Sequence, residues 1–162
     1  MKKFASFVIA AASMMAAASG ASAGSWTTGT YELKGPLVLN QSITLNCNPT
    51  KFGLNASSTS SGSVTSVDWS SSCNGTLTPG AVSWVATPIS ATSASIKLYV
   101  TTSLGYCDGT VTGVWNNSAQ TLTFPSGTTV PGRVFGISVP CSITGTLTAT
   151  PVAPTTGPIT LS

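Results

Sequence analysis

The chain has 162 residues, of which six are Lys or Arg, three are Asp or Glu and none is His. So few and so scattered cations exclude a nucleic-acid-binding surface, which needs clustered basic side chains. The lack of histidine also leaves the many Ser and Thr hydroxyls without the base that usually activates a nucleophile, so we predict that the protein is not an enzyme.

The first 23 residues have the pattern of a secretory signal peptide. Lys2 and Lys3 precede the apolar run FVIAAASMMAAA, and the small-residue segment SGASAG offers an A-x-A cleavage site after Ala23. The run is too short for a lasting transmembrane segment, and no second one follows. We therefore expect an exported bacterial protein, secreted or at the cell surface. The mature chain keeps four basic and three acidic residues, a net charge of +1.

Residues 24–150 are typical of an all-β domain, a single disulfide-stapled antiparallel sandwich or barrel. Gly and Pro interrupt the chain roughly every eight to twelve residues, which predicts about eight to ten short strands. In GPLVLNQSITLNC, apolar side chains alternate with polar ones and predict an inward face of Leu37, Leu39, Ile43, Leu45 and Cys47. In CSITGTLTAT, the face that begins with Cys141 is apolar and the opposite face carries only hydroxyls.

Four other segments suggest turns, loops and ends. The Ser-rich segment NASSTSSGSVTS (55–66) is predicted to be a mobile loop, and NNSA (116–119) a hairpin turn. Pro140 indicates an edge position or a bend between two strands. Residues 151–162 form a Pro/Thr-rich tail, which is either a linker or an added strand, because Ile159 and Leu161 alternate with polar residues.

The four cysteines predict two disulfides in an exported protein. Each of Cys47, Cys73, Cys107 and Cys141 lies on the apolar face of its predicted strand and is followed three residues later by a threonine. Three pairings are possible, and we favour Cys47–Cys73 with Cys107–Cys141, because each bond would then staple one contiguous half of the chain. A zinc site is disfavoured, since the chain has no histidine and no C-x-x-C pair.

The tryptophans have two interpretations, a hydrophobic core or a surface that binds carbohydrate or apolar material. Trp84 and Trp115 fall on apolar faces and are predicted to be core residues, whereas the pattern leaves Trp69 open. Trp26, next to the cleavage site, is expected in a mobile segment.

The three carboxylates, Glu32, Asp68 and Asp108, are dispersed along the chain. They do not suggest an acid–base pair or a calcium site. We therefore predict no catalytic, cofactor-binding or metal-binding residue, and no cofactor. The functional residues that we expect are the four structural cysteines.

The order of CNGTLT, CDGTVTGVWNN and CSITGTLTATP resembles that of small secreted bacterial proteins called activators of alkane oxidation, the PraB family. The resemblance covers about Leu37 to Pro151. It implies an accessory or adhesive role in growth on alkanes, surface attachment or biofilm, rather than an oxygenase.

From the weakly charged, hydroxyl-rich surface and this resemblance, we expect a non-enzymatic protein that contacts hydrophobic surfaces, alkane or biofilm matrix components. The alternative is a fibre or pilus-like subunit that self-associates by strand addition through residues 24–35 and 157–162. Neither interpretation involves nucleic acid or a transmembrane segment.

Overall fold

The computed structural model describes residues 23–69, 73, 75, 77–80 and 83–162, so the predicted signal peptide, except Ala23, lies outside the described residues. The described residues form strands and turns and no helix, which confirms the all-β prediction. The strands are β1 Gly29–Gln41, β2 Ile43–Ala56, β3 Gly62–Asp68, β4 Leu77–Pro79, β5 Trp84–Ser90, β6 Ser93–Thr102, β7 Gly105–Asn116, β8 Thr121–Phe124, β9 Thr129–Val130, β10 Gly132–Val134, β11 Ile137–Ser138 and β12 Cys141–Pro151.

Eight of these strands close into an antiparallel barrel. The order around the barrel is β1, β2, β3, β5, β6, β7, β8 and β12, and β12 pairs again with β1. The structure therefore decides between the two predicted architectures in favour of the barrel. The short strands β4, β9, β10 and β11 add to its rim and raise the number in the described residues to twelve, above the predicted range.

The alternation read from the sequence builds the core. In β12 the apolar Cys141, Ile143, Leu147 and Ala149 are buried, and Thr148 on the opposite face is exposed. One predicted segment, GPLVLNQSITLNC, is two strands joined at Ser42, whose φ of 62° makes the reversal. Inward and outward faces are kept across this turn, because Leu39 pairs with Leu45 and Leu37 with Cys47.

All four tryptophans are buried. Trp84 and Trp115 are core residues as predicted, and Trp69 joins them, with its ring centroid 5.6 Å from that of Phe52 in an edge-to-face contact. The expectation for Trp26 was wrong: its indole N–H donates a 2.7 Å hydrogen bond to the Ser58 carbonyl, and its side chain is 4% exposed. Packing at the barrel end thus outweighs the usual mobility of a terminal segment.

The disulfides join Cys47 to Cys73 and Cys107 to Cys141, the pairing that the sequence favours. Three of the four cysteines are buried on the inner face of strands. Cys73 departs from the prediction, because it lies outside the strands, forms an isolated bridge with Cys47 and is only partly buried.

The loop prediction for 55–66 was wrong in extent. Only residues 57–61 lie between strands, because β3 begins at Gly62 and its Val64 is fully buried opposite Leu54. Gly62 fits there since a Cβ would meet the Trp26 ring and the Asn55 carbonyl oxygen. The Ser-rich composition concealed this strand.

The tail folds back onto the barrel. Ile159 and Leu161 are each 2% exposed, and Leu161 forms a single bridge with Trp26 rather than a full strand. The predicted hairpin turn holds it in place: the Asn117 side chain donates to the Leu161 carbonyl and accepts from the Leu161 N–H, both at 2.8 Å. The Trp115 indole donates to the same Asn117 oxygen at 2.7 Å.

Candidate functional site

The interior of the barrel is packed with side chains. The two spaces found between core residues measure about 10 and 20 Å³, enough for about one water molecule each. A drug-sized ligand occupies a cavity of about 300 Å³ or more. Neither of these two spaces has room for a hydrocarbon chain, so we expect a binding surface on the exterior.

The carboxylates stay apart, on three different strands: Glu32 on β1, Asp68 at the end of β3 and Asp108 on β7. Among the residues with described positions, no three His, Cys, Asp or Glu side chains come together as a potential metal-ion site. The sequence-predicted residues that the structure does bring together are the cysteines.

The most exposed apolar side chains lie on one hairpin at the barrel rim. Strands β10 and β11 are joined by Phe135 and Gly136, with Val134 paired to Ile137. Both turn residues have positive φ, 49° for Phe135 and 84° for Gly136, as in the two-residue type I′ turn. Positive φ is usual for glycine and strained for a bulky aromatic residue.

We call residues 134–137 the apolar tip. Phe135 is 80% exposed and Ile137 69%, whereas the other large hydrophobic side chains recorded as exposed are between 37 and 54% exposed. The tip touches the barrel through backbone: the Phe135 N–H donates to the Leu104 carbonyl at 3.3 Å. A strained turn that directs a phenylalanine into solvent is a candidate for function, because folding alone does not favour it.

The base of this hairpin is firmly attached. Strand β10 pairs with the start of β7, where Gly132 lies opposite Cys107, and the Cys107–Cys141 disulfide joins β7 to β12 beside it. A Cβ on Gly132 would meet the Cys141 sulfur at 2.6 Å, so the hairpin packs directly on the disulfide. The tip is therefore apolar and exposed, but rigidly mounted.

Gln41 completes the attachment from the β1–β2 turn. Its side chain is 3% exposed, and its amide N–H groups donate to three carbonyls, those of Tyr106 at 3.0 Å and of Arg133 and Val139 at 3.2 Å. These carbonyls belong to β7 and to both ends of the hairpin. One buried amide thus ties the hairpin to two parts of the barrel.

A charged residue borders the tip. The Arg133 guanidinium donates a 3.1 Å hydrogen bond to the Gly136 carbonyl, across the turn. Arg133 pairs with Ser138 in the hairpin and with Tyr106 on β7. The tip is thus apolar at its end and polar where it joins the barrel.

A protein-family profile described as "Alkane oxidation protein activator PraA/PraB-like" matches residues 1–156 of the sequence. The chain belongs to this family. The match covers nearly the whole sequence and confirms the resemblance drawn from the cysteine-led segments. No curated protein and no solved structure gives a significant match.

The sequence reasoning missed the exposed apolar residues of the tip and the buried amide that supports the hairpin. It assigned no role to Phe135, Ile137 or Gln41. Two features pointed to them: the Phe-Gly pair between apolar residues suggests a two-residue turn, and Gln41 is a polar residue with the same parity as Leu37 and Leu39. In the described part of the chain, no helix has the length and hydropathy to cross a bilayer.

Proposed function

We propose that this PraA/PraB-like protein is a non-enzymatic, exported accessory protein that contacts alkane droplets and similar hydrophobic surfaces through its apolar tip. The observation that carries the proposal is the exposure of Phe135 and Ile137 at the end of a rigid hairpin. Rigid mounting favours contact, since little conformational freedom is then lost when the tip meets a surface. The family description supports alkane as the hydrophobic phase.

The exposed area of the tip sets the expected strength of its contact with hydrocarbon. Full burial of a large apolar side chain is worth about 2 kcal/mol. We scale this value by the exposed fractions, 80% for Phe135 and 69% for Ile137. The favourable free energy of transfer of both side chains into hydrocarbon is then about 3 kcal/mol, which raises the partition coefficient about a hundredfold.

Export and surface attachment belong to the same proposal. Two disulfides in a small β protein are compatible with an extracellular location. The mature chain carries only seven charged side chains, so charge opposes its approach to an apolar or polymeric surface only weakly. Adhesion and a role in the biofilm matrix would use this property together with the tip.

Partitioning of the mature protein to a hexadecane–water interface tests the proposal. We expect enrichment of the wild type and a loss of about a hundredfold in the variant Phe135→Ser/Ile137→Ser. Val114→Thr is the matched control, since Val114 is 54% exposed near the other end of β7 and should leave partitioning nearly unchanged. No enrichment of the wild type would refute the function. Equal losses in both variants would refute the role of the tip.

The alternative proposal, a fibre subunit assembled by strand addition, involves the two terminal segments. In this chain they are engaged with each other: Ser25 and Ser162 exchange two backbone hydrogen bonds of 2.9 Å, and the Thr27 N–H donates to the Thr160 carbonyl at 3.0 Å. Strand addition would first have to break these bonds. Electron microscopy of the secreted protein would reveal fibres if it occurs.

A further inference from the structure

A second exterior feature lies beside the hairpin, on the outer face of β6 and β7. Tyr99 and Tyr106 are neighbours there, with ring centroids 5.9 Å apart and planes inclined by 35°. The strand register explains the pair. Tyr99 lies opposite Asp108, and Tyr106 lies opposite Thr101, which is the next outward-facing residue after Tyr99 on β6. The two tyrosines are therefore diagonal neighbours across the two strands. Both aromatic rings therefore belong to the outward-facing row of the barrel wall, away from the core.

Two shallow depressions adjoin this pair. One, of about 380 Å³, is lined by Tyr106, Asp108 and Arg133 together with residues of the hairpin base and the β9–β10 connection. The other, of about 340 Å³, is lined by Lys97, Tyr99 and Asp108 with part of β5. Both depressions are lined by Asp108, and we call the surface that comprises the two the tyrosine groove.

Both signs of charge line this groove. Lys97, Asp108 and Arg133 are three of only seven charged residues in the sequence after the predicted signal peptide, and all three are exposed. A carboxylate between two cations offers hydrogen-bond acceptors and donors side by side, next to aromatic faces. The groove thus combines both signs of charge with two aromatic rings on the outer wall of the barrel.

The Tyr99 ring is held in position. The Gly80 N–H donates a 2.9 Å hydrogen bond to the Tyr99 carbonyl, and a Cβ at position 80 would collide with the Tyr99 ring. The ring therefore lies directly over glycine backbone, which no other residue type would permit in this geometry. A fixed aromatic face loses little entropy when a ligand stacks on it.

We propose that the tyrosine groove binds a carbohydrate chain. A pyranose ring presents an apolar face of C–H groups, which packs on an aromatic ring, and a rim of hydroxyls. Asp108 accepts hydrogen bonds from these hydroxyls, and Lys97 and Arg133 donate to them. Both depressions are open at the surface and adjoin the tyrosine pair, which suits successive units of a polymer better than a small enclosed ligand. Its excess of one positive charge favours acidic sugar units over neutral ones.

The site is distinct from the apolar tip, although both share the hairpin. Phe135 and Ile137 are not among the residues that line the groove, and Tyr99 and Asp108 lie on the barrel wall. A protein with both sites would hold a hydrophobic surface at one place and a polysaccharide at the other. Carbohydrate binding is therefore independent of the alkane contact and is tested separately.

The test is titration of the ¹⁵N-labelled mature protein with two probes, cellohexaose and the hexamer of galacturonic acid. We expect saturable chemical-shift changes centred on Tyr99, Tyr106 and Asp108, with tighter binding of the acidic hexamer that weakens as salt is added. Tyr99→Leu, which keeps apolar bulk over Gly80, should weaken binding about fivefold. Asp108→Ala should weaken binding of the neutral cellohexaose about tenfold, by the loss of a charged acceptor for the sugar hydroxyls.

The tip variant Phe135→Ser/Ile137→Ser is the control and should bind both hexamers as the wild type does. Asp108 is exposed, so Asp108→Ala keeps the test valid if Tyr99→Leu fails to fold. No saturable shift with either hexamer, shifts centred on another surface, or an affinity for cellohexaose that is unchanged in Asp108→Ala would each overturn the proposal. A loss of hexadecane partitioning in the tip variant alone, with sugar binding intact, would support both proposals separately.

Discussion

Replacing Phe135 by asparagine should stabilise the hairpin and weaken the contact with alkane. Phe135 has a φ of 49°, and this left-handed conformation costs an ordinary residue about 1–2 kcal/mol. Asparagine adopts it readily and is the preferred partner of a following glycine in type I′ turns. The substitution therefore removes strain at the position where the proposed function needs an aromatic ring.

The magnitude follows from the exposure of the side chain. Because Phe135 is 80% exposed, its loss removes only about 0.5 kcal/mol of burial, which leaves a net stabilisation of about 0.5–1.5 kcal/mol. Transfer to hexadecane should lose about 1.6 kcal/mol, or about fifteenfold in the partition coefficient. Stability and function thus change in opposite directions.

Hydrogen exchange of the Val139 amide, which donates to the Gly132 carbonyl at 3.0 Å across the base of the hairpin, measures the first effect. It should slow by about twofold to tenfold in Phe135→Asn, while hexadecane partitioning falls. Faster exchange would contradict the strain assigned to Phe135. Unchanged partitioning would contradict its place in the contact.

Three further substitutions test the contacts that hold the hairpin and the barrel together. Gln41→Met removes a buried amide that donates to three carbonyls, and should lower the free energy of unfolding in urea by about 2–3 kcal/mol; a loss under about 0.5 kcal/mol would contradict the assigned role. Cys107→Ser/Cys141→Ser should cost about 2–4 kcal/mol in the same assay, and four free thiols in the native protein would refute the disulfides. Gly145→Ala should cost about 2 kcal/mol or more, since φ is 142° and a Cβ would collide with the Pro36 carbonyl, whereas Gly157→Ala, with open space around it, should be nearly neutral; equal effects would contradict the packing.

The sequence predicts the local structure of this protein well because strand alternation is a local property. The buried Cys141, Ile143 and Leu147 follow from their spacing alone. Closure of the barrel does not, because it depends on the pairing of β12 with β1, whose residues are more than a hundred positions apart. Alternation is the same in a sandwich and in a barrel, so the pattern left both open.

The candidate sites were harder to predict than the fold. Phe135 and Ile137 are apolar residues, and an apolar residue in a strand-rich sequence is usually assigned to the core. Their exposure results from a two-residue turn that carries them beyond the barrel wall. The aromatic residues for which a binding surface was considered, the tryptophans, are buried, whereas Tyr99 and Tyr106 lie on the outer face. That the two tyrosine rings are neighbours depends on the register of β6 and β7, which the alternation within each strand does not reveal.

The two ends of the folded chain meet at one pole of the barrel, where Ser25 bonds to Ser162 and Asn117 holds Leu161. Strand β7 runs from there to the opposite pole, about 35 Å away along the strand, where the hairpin projects. A fluorescent label, a fusion partner or a solid support attached at Ser25 or Ser162 would therefore leave the phenylalanine pointing outward. The geometry makes this barrel suited to oriented immobilisation, with the apolar tip free.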